Sequence, residues 1–160
     1  MHKKVVYPGT FDPVTYGHLD IIERIAGLYD NVFVAVAESG DKGPLFSAEE
    51  RVDMLTKAVA KYKNVEVEHF KGLVVDYADK KSARVVVRGL RMISDFEYEF
   101  QMALTNRKLR PEIETVFMMP KESYSYLSSK LIKEAAVLGA DISDFVPSNV
   151  ENKLKEKIKK

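Results

Sequence analysis

Val5-Val6-Tyr7-Pro8-Gly9-Thr10-Phe11-Asp12-Pro13-Val14-Thr15-Tyr16-Gly17-His18 is the stretch that decides the fold. Val5 to Tyr7 reads as a strand that stops at Pro8-Gly9. Leu19, Ile22, Ala26 and Tyr29 then recur at helical spacing, with Ile21, Ile25 and Leu28 widening the stripe. A strand, a glycine-bearing loop and a helix make the first half of a βαβ unit. Glycine at 9 and 17 permits close backbone approach, and a helix N-terminus offers free N–H groups to an anion. His18, in the first turn, can donate a hydrogen bond into such a site. An isolated Gly-His pair would merely begin a helix and leave a surface histidine. The strand and the Gly-Thr-Phe-Asp-Pro loop ahead of it favour the functional reading.

The same alternation continues outward. Val32 to Ala37 is an unbroken apolar run, the pattern of a strand buried on both faces. Ser47-Ala48-Glu49-Glu50 is a capping box that starts a helix expected to reach Tyr62. Val65, Val67 and Phe70 mark a third strand, Leu73 to Lys80 a helix, and Arg84 to Val87 a fourth strand. Ser94-Asp95-Phe96-Glu97 is expected to cap a helix running to Leu109, and Thr115 to Met119 forms a fifth strand. A helix from Ser128 ends at Gly139, and Ser148-Asn149-Val150-Glu151 is expected to cap a lysine-rich last helix. Five strands separated by helices predict an α/β fold with a doubly wound, five-stranded parallel sheet in one domain spanning residues 1–160. Ligands of such sheets bind beyond the C-terminal strand ends, at the switch point.

Composition sets the outer bounds. With 160 residues, 46% of them hydrophobic and 31% charged, the chain describes an ordinary globular domain. Its 25 basic and 24 acidic residues nearly cancel, so no global charge draws it to nucleic acid or an anionic membrane. There is no cysteine, which excludes disulfides, thiolate nucleophiles and zinc–cysteine sites. No stretch approaches the ~18 apolar residues of a membrane span, and the expected location is the cytoplasm.

Arg88 and Arg91 leave the end of the fourth strand, which in this topology lies beside the first, and an arginine fork matches phosphate oxygens. Lys42 sits in the loop Ser39-Gly40-Asp41-Lys42-Gly43-Pro44, whose glycines and proline suit a segment lying over a ligand. Asp95, Glu97 and Glu99 complement a helix dipole and need no metal.

Gly9-Thr10-Phe11-Asp12-Pro13 followed by Thr15-Tyr16-Gly17-His18 resembles the nucleotidyltransferase superfamily, whose signature ends in Gly-His. Thr15 replaces the first histidine of the usual His-x-Gly-His, as in the bacterial phosphopantetheine adenylyltransferases. Arg88-Gly89-Leu90-Arg91 with Asp95-Phe96-Glu97-Tyr98-Glu99 is similar to that family's second block. Thr115-Val116-Phe117-Met118 and Ser128-Ser129 fall where its fifth strand and last motif belong. Lys130 departs, because the family usually carries a small hydroxyl residue there.

The resemblance implies a Rossmann-like nucleotidyltransferase fold and adenylyl transfer from ATP to 4′-phosphopantetheine, giving dephospho-coenzyme A. It implies catalytic roles for His18, Thr10 and Lys42. It implies ATP contacts from Thr10, Phe11, His18, Gly89, Leu90, Arg91, Glu99, Tyr124, Ser125, Tyr126, Leu127, Ser128, Ser129 and Lys130. Acceptor contacts fall to Thr10, Lys42, Val74 and Arg88, although Val74 without the family would be read as core. It further implies a homohexamer; magnesium is expected to arrive with the ATP phosphates, held mostly by phosphate oxygens and water, with no metal site expected on the protein. The rivals are a nicotinate mononucleotide adenylyltransferase, a cytidylyltransferase, or a non-catalytic nucleotide-binding module.

Overall fold

The computed structural model describes residues 2–38 and 43–159. Five strands, β1 (Lys4–Gly9), β2 (Asn31–Ala37), β3 (Val65–Phe70), β4 (Val85–Gly89) and β5 (Glu114–Met118), form one parallel sheet in the order β3-β2-β1-β4-β5. The helices are α1 (Tyr16–Leu28), α2 (Ala48–Ala58), α3 (Val74–Lys80), α4 (Ile93–Leu109), α5 (Ser129–Val137) and α6 (Ser148–Ile158). Among the described residues no helix is long and apolar enough to cross a membrane.

Strand periodicity of two sorts the apolar runs onto two cores. Val5, Tyr7, Val32, Val34, Val36 and Val87 face a core shared with α1, α2, α5 and α6. Val6, Phe33, Ala35 and Val86 face the opposite core, closed by Val75 and Ala78 of α3. The central strands therefore read as continuous apolar runs because both of their faces are covered.

Sheet register opens the crevice. β1 pairs with β2 from Lys4 to Gly9, so it continues through Pro8 and Gly9 and does not stop before them. It pairs with β4 only at Val5 and Val6. Beyond Val6 the two strands part, and Pro8 brings no N–H to hold them together. The Pro8 carbonyl instead accepts a hydrogen bond from Arg88 Nη1 at 2.8 Å. This gap lies at the switch point, where the chain winds off in opposite directions.

Several element ends differ from expectation. α2 stops at Ala58, because Tyr62 N–H bonds to Val59 in a tighter turn and Asn64 Nδ2 bonds to the Ala26 and Tyr29 carbonyls on the way into β3. α4 is capped at Met92 and not at Ser94: the Asp95 carboxylate reaches back to the Arg91 and Met92 N–H groups, so Ser94 lies inside the helix. α6 starts after Pro147, whose carbonyl takes the Val150 and Glu151 N–H groups, and the Ser148 side chain caps nothing. A short 3₁₀ turn at Glu122–Tyr124, without a sequence signature of its own, leads into α5. The capping box at Ser47, the Ser128 cap and Gly139 with φ +82° all stand where the sequence puts them.

Candidate active site

A cleft of about 580 Å³ occupies the gap between β1 and β4. It is lined by Gly9, Thr10, Phe11, Asp12, Thr15 and His18 from the first loop and helix, and by Arg88, Gly89, Arg91, Asp95 and Glu99 from the fourth strand and α4. Tyr124, Leu127, Ser128, Ser129, Lys130 and Lys133 close the third side.

The β1 side is built by packing. Phe11 is buried with φ +51°, a left-handed conformation that costs a residue with a Cβ about 1–2 kcal/mol. Its ring lies against Gly9, where an added Cβ would come within 2.9 Å of Phe11 Cζ, so position 9 has no room for a side chain. The same ring meets Tyr7 and His18 edge-on, at centroid distances of 5.3 and 5.0 Å. Thr15 caps α1, and its own N–H donates to His18 Nδ1 at 3.0 Å. With Nδ1 accepting, the proton of the neutral ring sits on Nε2. Burial, reinforced by the positive charges of Arg91 and Arg88, pushes the His18 pKa down to about 4. The ring is therefore a neutral hydrogen-bond donor at physiological pH.

The β4 side is built by ion pairs. Arg88 donates Nε and Nη2 to the two Glu99 oxygens, at 2.8 and 2.6 Å. Burial alone would lower the Arg88 pKa, but the pairing with Glu99 outweighs it and raises the pKa. Arg91 Nη1 donates to the Leu127 carbonyl at 2.8 Å and lies 3.4 Å from Asp95 through Nε. A Cβ at Gly89 would meet Ile21 Cδ1 at 2.7 Å, so a side chain there would have to push the end of Ile21 aside.

On the third side, the Ser128 hydroxyl oxygen accepts the Leu131 N–H at 3.1 Å, which leaves its hydroxyl hydrogen to donate. Ser129 donates its hydroxyl to the Pro13 carbonyl at 2.8 Å, tying the start of α5 to the first loop.

Not every residue named from sequence reaches this cleft. Lys42 lies outside the described residues. Val74 packs beside the second core, Leu90 N–H bonds to Met118, Ser125 bonds back to Glu122, and Tyr126 is exposed with its ring edge-on to Phe145. None of these four lines the cleft. Glu99 lines it with both carboxylate oxygens engaged by Arg88.

Sequence reasoning does not single out Asp12, Lys133 or Arg51. Asp12 is buried and accepts from Leu45 N, Phe46 N and Lys133 Nζ, at 2.9, 3.0 and 2.6 Å. Lys133 stands four residues after Ser129 on one face of α5, a spacing that marks it as a cleft residue. Arg51 gives no such local signal. Among the described residues no cluster of three or more His, Cys, Asp or Glu side chains could hold a metal ion.

The cytidylyltransferase-like family matches residues 6–135. The phosphopantetheine adenylyltransferase of Caldanaerobacter subterraneus subsp. tengcongensis is 54% identical over 155 residues, covering 97% of each chain. That of Dictyoglomus turgidum is 55% identical over 156 residues, covering 98% of each. Among solved structures, a Vibrio parahaemolyticus protein described as a nicotinate-nucleotide adenylyltransferase superposes with TM-score 0.73 at 18% identity, over 96% of this chain and 99% of that one. A bifunctional NMN adenylyltransferase/ADP ribose pyrophosphatase from Francisella tularensis gives TM-score 0.72 at 17% identity, over 100% of this chain and 51% of that one. At those identities the superpositions speak for the fold, while the full-length similarity to curated relatives places the sequence. The chain belongs to the phosphopantetheine adenylyltransferase family, within the cytidylyltransferase-like proteins.

Proposed function

We propose that this enzyme transfers the adenylyl group of ATP to 4′-phosphopantetheine, giving dephospho-coenzyme A and pyrophosphate. The observation that carries this reading is the full-length identity of about 54% with relatives of that name. The cleft supplies chemistry that suits it. It offers cations, a hydroxyl at a helix start and a neutral imidazole donor.

Direct in-line displacement needs nothing more. The acceptor's phosphate oxygen is already ionised at neutral pH, so it attacks the α-phosphorus without a general base, and pyrophosphate leaves. Catalysis then reduces to positioning and to stabilising charge as it develops. The stabilising role falls to His18, whose Nε2–H is aimed by the Thr15 contact at Nδ1 and needs no protonation to act. Arg88 is assigned the acceptor phosphate, with Thr10. Arg91, Gly89, Ser128 and the start of α5 are assigned to ATP. Lys42, placed by resemblance between donor and acceptor phosphates, belongs to the same reading.

Magnesium enters this scheme bound to the ATP phosphates, whose negative charge it neutralises. The carboxylates of the cleft fit that arrangement. Asp12, Asp95 and Glu99 are taken up by N–H and cationic partners, so phosphate oxygens and water are the natural ligands. A homohexamer in the cytoplasm completes the proposal. Association is supported by the apolar side chains that α4 leaves exposed, among them Ile93, Phe96, Phe100 and Leu104.

The test is pyrophosphate release across a panel of acceptors with ATP and magnesium. 4′-Phosphopantetheine should be turned over and nicotinate mononucleotide should not. Faster turnover of nicotinate mononucleotide would reassign the substrate, and ATP binding without turnover of any acceptor would favour a binding module.

A further inference from the structure

Beneath the cleft, Arg51 of α2 is buried to 2% exposure and does not line the substrate-sized space. Its hydrogen bonds go to backbone carbonyls and not to carboxylates. Nη1 donates to Thr10 at 2.7 Å and to Ala37 at 3.0 Å, and Nε to Phe46 at 3.1 Å and Ser47 at 3.2 Å. One planar fork thus joins the ends of the adjacent strands β1 and β2 to the start of α2. Burying a guanidinium whose hydrogen bonds all go to carbonyls is an expensive way to close a loop. Burial lowers its pKa, and the more distant Asp12, Glu49 and Glu38 carboxylates offset that only in part.

The bond to Thr10 sits immediately before Phe11, the residue held at φ +51°. Asp12, immediately after Phe11, is fixed by Leu45 N, Phe46 N and Lys133. The left-handed residue is therefore clamped on both sides by long-range contacts, the condition under which a costly backbone conformation persists. What that conformation carries is the Phe11 ring, which abuts the His18 imidazole.

We propose that Arg51 is a positioning residue for adenylyl transfer: through the Thr10 carbonyl it holds the turn at Phe11, and that turn sets both Thr10 and the His18 ring. Arg51 touches no reacting atom. It acts through Thr10 and Phe11, and the proposal rests on the adenylyl-transfer reading for its kinetic consequence only. If the Thr10 carbonyl is released, Phe11 relaxes toward an ordinary φ, its ring leaves the imidazole, and the half-buried His18 ring opens further to water.

Arg51→Lys keeps the positive charge, but a single ammonium cannot reach all four carbonyls in the guanidinium's geometry. The full-length variant is expected to melt cooperatively and to lose kcat by about tenfold or more, while KM for ATP and for 4′-phosphopantetheine stays within about threefold. The decisive second measurement is an NMR pH titration of His18, one of three histidines in the chain. Its pKa of about 4 should climb toward the ordinary 6.5 in the variant. Asp12→Asn, which loosens the other side of the same turn, should move both quantities in the same direction by less.

An unchanged His18 titration in both variants, or a kcat within about twofold of wild type in a folded Arg51→Lys protein, overturns the proposal. So does loss of cooperative melting in both variants, which would make the two residues purely structural. Wild-type protein that releases no pyrophosphate, combined with the expected movement of His18 in Arg51→Lys, would sink the functional reading and leave Arg51 as the residue that sets the turn.

Discussion

The ends of β1 and β4 face each other across one cleft and are made of different material. At the β1 end the donor is neutral and held by packing: Phe11 against Gly9, Tyr7 and His18, with His18 Nδ1 tied to a backbone N–H, while the charges of Asp12 and Lys133 are paired with each other. At the β4 end they are charged and tethered: Arg88 to Glu99 and the Pro8 carbonyl, Arg91 to the Leu127 carbonyl and Asp95. Close packing leaves a donor little room to move, which matters for charge that exists only in the transition state. Tethered arginines hold full charges that attract a phosphate already ionised in the ground state. The two halves of the cleft should therefore fail in different ways, in kcat on the β1 side and in KM on the β4 side.

The largest effect is expected at His18. His18→Ala should depress kcat by about a hundredfold or more, on the order of 3 kcal/mol, with little change in acceptor KM. An intact kcat with weakened acceptor binding would erase the contrast between the two ends. The same residue gives a pH signature. Its pKa is about 4 in the folded chain against 6.5 ordinarily, so the unfolded state binds the proton first as pH falls. His18's contribution to stability is complete above pH 6.5 and is lost as pH falls toward 4. Denaturant midpoints across that window should fall less steeply for His18→Ala than for wild type.

An intermediate effect is expected on the β4 side. Arg88→Ala should raise the acceptor KM by roughly tenfold or more and change kcat little, since a charged hydrogen bond is worth about 1.5–3 kcal/mol. Glu99→Gln sharpens the point. It leaves Arg88 in place but without its ionic partner, so the acceptor KM should rise by less than in Arg88→Ala. An equal rise in ATP KM, with the acceptor unaffected, would instead make Glu99 the direct ATP contact that family resemblance implies.

The smallest effect is expected at Lys130, the departure from the family pattern. Lys130→Thr should retain most of kcat. If the lysine contacts phosphate, ATP KM should rise in the variant, and the wild type should show the steeper salt dependence. Steady-state kinetics at two ionic strengths distinguish that from a solvent-facing side chain, for which neither quantity moves. A kcat loss as large as that of His18→Ala would make Lys130 a third fixed group in the cleft and break the two-sided division.

Much of this cleft is legible in the chain because its parts are contiguous. Gly9 to His18 is a strand end, a loop and a helix start in one run, and Arg88 to Arg91 is another. The Ser128 cap needs only its own helix. The illegible parts are those in which one residue acts on another far away. Glu99 reads locally as a dipole-complementing acid, and only its reach across to Arg88 turns it into a tether. Arg51 reads as one more charged residue on an amphipathic helix, and nothing near it announces four carbonyl partners. Val74 illustrates the converse: local context reads it as core, and it packs beside the second core.

By itself the sequence determined the order of strands and helices, the α/β class, and the two loops that bring histidine and arginines to strand ends. Those follow from hydrophobic period, capping and turn chemistry, which are properties of neighbouring residues. Only the tertiary structure decided that β1 and β4 separate after Val6 to open the cleft. It alone decided that Arg51 grips Thr10 across 41 residues, that Arg88 reaches Pro8 across 80, and that Lys133 pairs with Asp12 across 121. The physical reason is that each of these side chains is equally at home in water. Burial and the nearness of an unpaired carbonyl or carboxylate, which arise only once the sheet has closed, convert it into a fixed contact.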